Sequence, residues 1–287
     1  MKLVNKILLS NIFLPIAAVL LTVSTQIQLG NAPHWHPYLM LVFLATIFEY
    51  NRHKITDIIS NAEDLKSEKY RWLLQNSKKI YLLVIIWIIS FIVTVFYTKH
   101  EVLLALVPLG IVTVFYSVPV IGNKYSLFRL RQIPYLKIFL IAFVWSASTI
   151  LIPVIHSGEN IFNSQVYMLF AERFFFIFAI TIPFDIRDLN TDRESGLKTI
   201  PMLANKNKIL ILSFLSLVIC LIISFFHYQG QNNWFIITAL CISLITTSIL
   251  LKSNFFRNLG RTYYHLLDGA MILQGMLVLV FYFFHQF

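Results

Sequence analysis

Residues 185–201 read Asp185-Ile-Arg-Asp188-Leu-Asn-Thr-Asp192-Arg-Glu-Ser-Gly196-Leu-Lys-Thr-Ile-Pro201, directly after an apolar run. The three aspartates are spaced at i, i+3 and i+7, which on an α-helix places them on one face. Carboxylates this close repel one another, and their desolvation beside a bilayer is costly, so the spacing favours a divalent cation. Oxygen ligands suit Mg²⁺, which combines one or two carboxylates with substrate phosphates. The alternative is a polar loop whose acids and bases pair with each other.

The chain around this stretch has the composition of a membrane protein. Of its 287 residues, 58% are hydrophobic and 13% are charged, and the mean hydropathy is +0.74. Apolar runs of about twenty residues, enough to cross a bilayer, recur along the whole length. This excludes a soluble globular protein. The net charge of +10 then reflects membrane topology and gives no reason to expect a nucleic-acid partner.

The apolar runs predict an all-α fold with about nine transmembrane helices. We expect the whole chain, 1–287, to form a single integral-membrane domain. Cys220 and Cys241 lie inside apolar runs without metal-type spacing, so neither a disulfide nor redox chemistry is expected. The predicted spans are approximately 7–28, 36–51, 79–98, 102–121, 133–155, 161–184, 208–228, 233–251 and 264–285.

The positions of lysine and arginine predict the orientation. With the N-terminus in the cytoplasm, all but three of the 23 basic residues fall in cytoplasmic segments; the exceptions are Lys99, Lys137 and Arg173. The aspartate stretch then lies at the cytoplasmic surface, the C-terminus lies outside, and a bacterial inner membrane is the expected location. The cytoplasmic loops are expected at about 52–78, 122–132, 185–207 and 252–263.

The stretch 185–201 closely resembles the second aspartate motif of the UbiA superfamily of intramembrane prenyltransferases, typically D-x-x-D-x-x-x-D-x-x-x-G-x-x-T-x-P. The resemblance implies a bundle of about nine transmembrane helices with a central cavity open to the cytoplasmic side. It also implies Mg²⁺-dependent transfer of a polyprenyl group from its diphosphate to a small acceptor, often an aromatic quinone precursor. Asp185, Asp188 and Asp192 would then be the metal-binding and catalytic residues.

The family's first motif, of the form N-D-x-x-D-x-x-x-D, should lie at the end of the second span, but this chain departs from it. Two interpretations remain open. In the first, Asn51 and Asp57 still hold a metal, while Arg52 and Lys54 bind diphosphate directly. In the second, the site has lost one of its two metals, with or without its activity.

Further diphosphate contacts are implied by the loop after the fourth span. The family commonly has Tyr-Ser-x-Pro or Tyr-x-x-x-Lys there; Tyr116 fits the first form, and Tyr125 with Arg129 fits the second, with arginine in place of lysine. Lys137, about one turn into the fifth span, is expected either to extend to the cytoplasmic surface or to point into the cavity. The full set of implied substrate-binding residues is Asn51, Arg52, Lys54, Tyr116, Tyr125, Arg129, Lys137, Arg187 and Lys198.

Glu172 and Arg173 lie within the sixth span, where charges are candidates for function. Adjacent residues on a helix do not face each other, so each needs a partner elsewhere, and Asp268 is a possible partner for Arg173. A structural ion pair and a role in acceptor binding are both open. The expected partners of the chain are a polyprenyl diphosphate, a small acceptor and membrane lipid. The alternative function is a non-catalytic lipid- or quinone-binding protein, or a transporter, on the same scaffold.

Overall fold

A computed structural model describes residues 12–60, 77–117, 121–123 and 126–286. Its fold is all-helical apart from one short antiparallel hairpin, in which β1 (Ile121–Asn123) pairs with β2 (Ser126–Phe128). The helices are α1 (Phe13–Gln28), α2 (Pro37–Ser60), α3 (Ser77–Phe96), α4 (His100–Ser117), α5 (Lys137–Ser157), α6 (Ser164–Arg187), α7 (Leu189–Glu194), α8 (Lys206–Gln229), α9 (Trp234–Lys252), α10 (Asn254–Arg257) and α11 (Arg261–Gln286). Two 3₁₀ turns cover Leu130–Gln132 and Ile200–Met202.

Each predicted span coincides with one long helix within the described residues. Five of them (α5, α6, α8, α9 and α11) are long and apolar enough to cross a bilayer, and α1, α3 and α4 contain shorter apolar helices. The largest difference in length is in α2, which continues from the predicted end at 51 as far as Ser60. Hydropathy marks where a helix leaves an apolar environment but not where its backbone hydrogen bonds end, so the polar extension was missed.

The long helices pack mainly against their neighbours along the chain. Contacts run from α2 to α3, from α4 to α5, and then through α6, α8, α9 and α11. Helix α1 contacts α2, α5 and α11, and so joins the first helices of the bundle to the last. The largest buried cluster lies where α6, α8 and α11 meet, and it includes Phe176, Cys220 and Leu267.

Helices α1 and α11 approach each other closely at Gly275. A Cβ atom added to this glycine would lie 2.8 Å from backbone atoms of Leu20, which is closer than atoms can pack. Small residues allow such backbone contact in membrane helix pairs, where lipid offers no hydrophobic force for association. Gly269 lies earlier on the same helix and has nothing within 4 Å of the same position. Gly275 is therefore a packing glycine, and Gly269 is not.

The two charges of the sixth span are buried, and side chains and a carbonyl on neighbouring helices supply their hydrogen-bond partners. The Arg173 guanidinium donates to the Leu21 carbonyl at 3.1 Å and to Gln28 Oε1 at 2.9 Å, both on α1. The Gln28 amide donates in turn to Glu172 Oε1 at 3.0 Å and to the Tyr228 hydroxyl at 2.7 Å. Further Arg173 contacts are Ser24, Thr25 and Thr149.

The expectation that Glu172 and Arg173 find partners on other helices is confirmed, whereas the suggested pairing of Arg173 with Asp268 is wrong. Asp268 interacts electrostatically with Arg187, at the far end of α6. The network joins α1, α5, α6 and α8, and its geometry supports the structural interpretation of this charge pair.

Candidate functional site

The site is centred on an ammonium group shared by two of the three motif aspartates. Lys137, the first residue of α5, places its Nζ atom 2.8 Å from Asp185 Oδ1 and 2.8 Å from Asp192 Oδ2. The side chains are 14%, 2% and 10% exposed for Lys137, Asp185 and Asp192. The Lys137 side chain thus points towards Asp185 and Asp192. This is a shielded ion triad, in which electrostatic interactions are less screened than on a surface.

The local backbone sets this geometry by changing direction twice. Helix α6 ends at Arg187, and Asp188 leaves helical geometry with ψ near 2° before α7 begins. Helix α7 ends in a Schellman motif: the Leu197 N–H donates to the Asp192 carbonyl, and the Gly196 N–H donates to that of Arg193. Gly196 has a φ of +73°, a left-handed conformation that glycine adopts without strain.

The segment after Gly196 anchors the motif to the bundle. Thr199, Ile200 and Pro201 are all buried. The Tyr135 N–H donates to the Lys198 carbonyl at 2.8 Å, which ties the approach to α5 to the end of the motif. The Gly-x-x-Thr-x-Pro part of the motif therefore holds Asp192 against Lys137.

Asp188 faces a different direction from the other two aspartates. It pairs with its neighbour Arg187 through two contacts, Nε to Oδ1 at 2.6 Å and Nη2 to Oδ2 at 3.0 Å. The Arg187 guanidinium also lies over the rings of Phe184 and Tyr264. The prediction that all three carboxylates line one helical face is wrong for Asp188, because the backbone departs from helical geometry at this residue.

Two tyrosines complete the surroundings of the triad. Tyr116, near the end of α4, lies within electrostatic range of Lys137, Arg131, Asp185 and Asp192. Tyr50 on α2 accepts a hydrogen bond from the Trp145 indole at 3.2 Å and lies within electrostatic range of Tyr116. Helices α2, α4, α5, α6 and α7 therefore converge on one polar centre.

The other predicted site residues are less completely placed. Asn51 donates its amide to the Ile47 carbonyl of its own helix at 2.8 Å. Lys198 is exposed. The backbone N–H of Arg129 donates to Gln132 Oε1. Arg52, Lys54 and Asp57 lie on α2, but their side chains are outside the described part of the structure, as is the whole of Tyr125.

The donor set fits a hard cation at two of the three aspartates. Within the described ranges, no group of three or more His, Cys, Asp or Glu residues forms a metal cluster. Asp185 Oδ2 is buried and has no hydrogen-bond partner in the described part of the chain, so this oxygen can accept a ligand. Asp185 and Asp192 supply the oxygen ligands that Mg²⁺ prefers, while Asp188 would first have to leave Arg187.

Sequence reasoning missed Tyr50 and Arg131 as parts of this centre. Arg131 lies two residues beyond the predicted Arg129, in a 3₁₀ turn that hydropathy does not predict. Tyr50 directly precedes Asn51, but nothing in the sequence showed that the indole of Trp145 would approach it from α5. Contacts between distant helices of this kind leave no pattern in one sequence.

Comparison with known proteins agrees with the fold and the motif. A UbiA homologue from Aeropyrum pernix K1, solved without ligand, aligns with a TM-score of 0.61 at 13% identity, covering 93% of this chain and 97% of that one. A structure of digeranylgeranylglyceryl phosphate synthase aligns with a TM-score of 0.51 at 17% identity, covering 94% and 92%. At these identities the likeness concerns the fold alone. No curated protein sequence matches the chain. Residues 57–261 match the sequence profile of the UbiA prenyltransferase family. That match covers most of the chain, which therefore belongs to this family of integral membrane proteins.

Proposed function

We propose that the chain transfers a polyprenyl group from a polyprenyl diphosphate to a small acceptor within the membrane. The observation that carries this proposal is the triad of Lys137, Asp185 and Asp192 at one end of an apolar bundle. It brings together carboxylates for a metal and an ammonium for phosphate oxygens. Membership of the UbiA prenyltransferase family supports the assignment to prenyl chemistry.

The reaction needs stabilisation of negative charge on the departing diphosphate. The carbon–oxygen bond breaks with its electron pair passing to the diphosphate, and the remaining allylic cation is captured by an electron-rich acceptor, which releases a proton. We propose that Lys137 and Arg131 contact the diphosphate oxygens and that the Tyr116 hydroxyl donates to them, which the electrostatic proximity of the three groups supports. The surrounding apolar helices keep water away from the cation.

Mg²⁺ fits this proposal through Asp185 and Asp192, with Asn51 and Asp57 as further ligands implied by the family resemblance. When bound, it would offset the charge of the diphosphate. Lys137 now pairs with both carboxylates, and a metal in that role would release its ammonium for phosphate contact. The acceptor we propose is an aromatic quinone precursor, and the site would face the cytoplasm of a bacterium.

The test is binding of a polyprenyl diphosphate to the purified protein in detergent, with Mg²⁺ or with EDTA. We expect Mg²⁺-dependent binding by the wild type and its loss in Asp185→Asn and Asp192→Asn. Glu194→Gln is the matched control, since it removes one carboxylate from α7 at an exposed position. Absence of binding by well-folded wild type, or equal binding by all variants, would reject the proposal.

One observation favours a second candidate, a non-catalytic protein that binds lipid or a quinone. Lys137 already pairs with both Asp185 and Asp192 and offsets one of their two negative charges without a metal. In this case the protein would bind an isoprenoid ligand with the same affinity in Mg²⁺ and in EDTA. The binding experiment above separates the two candidates directly.

A further inference from the structure

A small polar pocket lies beside the end of α6, on a different side from the Lys137 triad. Its volume is about 40 Å³, and Pro183 and Ile186 of α6 form one wall. Lys206, Arg257 and Tyr263 line it from α8, α10 and α11. Ile186 follows Asp185 directly, and successive helical residues diverge by about 100°. The pocket and the triad are therefore separate sites on one helix.

The pocket presents hydrogen-bond donors that nothing in the described structure uses. Tyr263 is 4% exposed, and its hydroxyl is buried without a hydrogen-bond partner. The Arg257 Nε atom is also buried and without a partner, although Nη2 of the same residue donates to the Lys252 carbonyl at 3.1 Å. Buried polar groups are normally paired, so these two donors indicate a ligand with acceptor oxygens.

The charge of the pocket selects an anion. Lys206 and Arg257 contribute two cations, and no acidic side chain lines the pocket within the described residues. Lys206 forms no ion pair in the described part of the chain. Two cations and a phenolic hydroxyl together match the oxygens of a phosphate group.

A separate apolar groove lies further along the same side of α8. It has a volume of about 300 Å³ and lies between α8 and α9, with Lys252 at the end that Arg257 contacts. Leu210 lines the pocket, while Phe214, Leu217 and Leu221 line the groove. These four residues are spaced at i, i+4, i+7 and i+11, which places them along one helical stripe. The groove is lined by aliphatic and aromatic side chains and matches a hydrocarbon chain.

We propose that this face binds an anionic phospholipid, with its phosphate in the pocket of Lys206, Arg257 and Tyr263 and one acyl chain in the groove of α8 and α9. The polar pocket supplies selectivity, because an apolar groove alone would accept any lipid tail. The site is independent of the proposed transfer reaction, since it shares no residue with the triad.

The experiment is a lipid titration of delipidated protein in detergent, followed by native mass spectrometry. The probes are phosphatidylglycerol and the diacylglycerol with identical chains, and inorganic phosphate serves as a competitor. We expect phosphatidylglycerol to bind about tenfold more tightly than diacylglycerol, because a charge-assisted hydrogen-bond set is lost with the phosphate. Equal affinity for the two lipids would overturn the proposal. Binding of inorganic phosphate at millimolar concentration, without measurable lipid binding, would also overturn it and indicate a free-anion site.

Three variants locate the binding. Tyr263→Phe removes only the hydroxyl, and Arg257→Gln removes one charge; each is expected to weaken phosphatidylglycerol binding at least about fivefold. Ser248→Phe fills the groove and should weaken both lipids. Lys208→Gln is the matched control on α8, because Lys208 lines neither cavity. If Arg257→Gln fails to fold, Arg257→Lys is measured in its place. This variant keeps the charge and should retain most of the phosphatidylglycerol binding. Unchanged lipid affinity in folded Tyr263→Phe and Ser248→Phe would overturn the assignment.

Discussion

Replacing Lys137 by methionine removes the ammonium that Asp185 and Asp192 share while keeping a side chain of similar length. Both contacts are 2.8 Å long and largely shielded from solvent. Removing one partner of a buried ion pair costs about 3–5 kcal/mol, since it leaves an uncompensated charge in place. Removing the Lys137 ammonium leaves two carboxylates without their cation. The loss of stability in Lys137→Met should therefore lie at the upper end of this range in the absence of metal.

The assay is thermal unfolding of the purified protein in detergent, with EDTA and with millimolar Mg²⁺. In EDTA we expect Lys137→Met to unfold several degrees below the wild type, and in Mg²⁺ to regain much of that difference because the cation replaces the ammonium. The double variant Lys137→Met/Asp185→Asn should be more stable in EDTA than Lys137→Met alone.

Arg187→Gln is the matched control for this prediction. It breaks the Arg187–Asp188 pair, in which the two side chains are 44% and 35% exposed, so the expected loss of stability in EDTA is at most about 1 kcal/mol. The reasoning would be refuted if Lys137→Met were as stable as the wild type in EDTA. A stability loss that Mg²⁺ left unchanged would refute the metal fit but not the ion triad.

Three further predictions concern stability. Gly275→Ala should destabilise the protein by about 1–3 kcal/mol through its clash with Leu20, whereas Gly269→Ala should be neutral or slightly stabilising; thermal unfolding of the two variants is the comparison. Arg173→Met should lower the free energy of unfolding by about 3 kcal/mol or more, because it leaves Glu172 and Gln28 without their cation, and full stability in this variant would contradict the network. Gly196→Ala should cost about 1–2 kcal/mol from its left-handed backbone, and Mg²⁺-dependent ligand binding should weaken with it if the Schellman turn positions Asp192.

Much of the helical architecture could be predicted because each span is a long apolar run, and the bilayer imposes its length. Helical spacing predicted Asp185 and Asp192 on one side, and both contact Lys137 although the helix is interrupted between them at Asp188. The outward direction of Asp188 did not, because it depends on one backbone angle at the junction of α6 and α7. The shared Lys137 was foreseen only as one of two alternatives, since a single sequence gives no distance between α5 and α7.

The hairpin of β1 and β2 and the extension of α2 were not predicted. The hairpin has only three residues on each strand, too few for a periodic pattern. The extension beyond residue 51 is polar, and its helical hydrogen bonds leave no mark in hydropathy. The partners of Arg173 were also missed, because Ser24, Thr25 and Gln28 read as ordinary polar interruptions of an apolar span.

The Arg173 network has a consequence for how the chain enters the membrane during synthesis. A charged residue near the centre of an isolated transmembrane helix costs about 2.5–3.5 kcal/mol on insertion, and α6 carries Glu172 and Arg173 side by side. The acceptors of Arg173 lie on α1 and α5, both of which leave the ribosome before α6, whereas Tyr228 on α8 follows it. When α6 enters the bilayer, Arg173 can therefore bond to acceptors on α1 and α5 that are already there. The order of the helices along the chain thus lowers the barrier to the integration of α6.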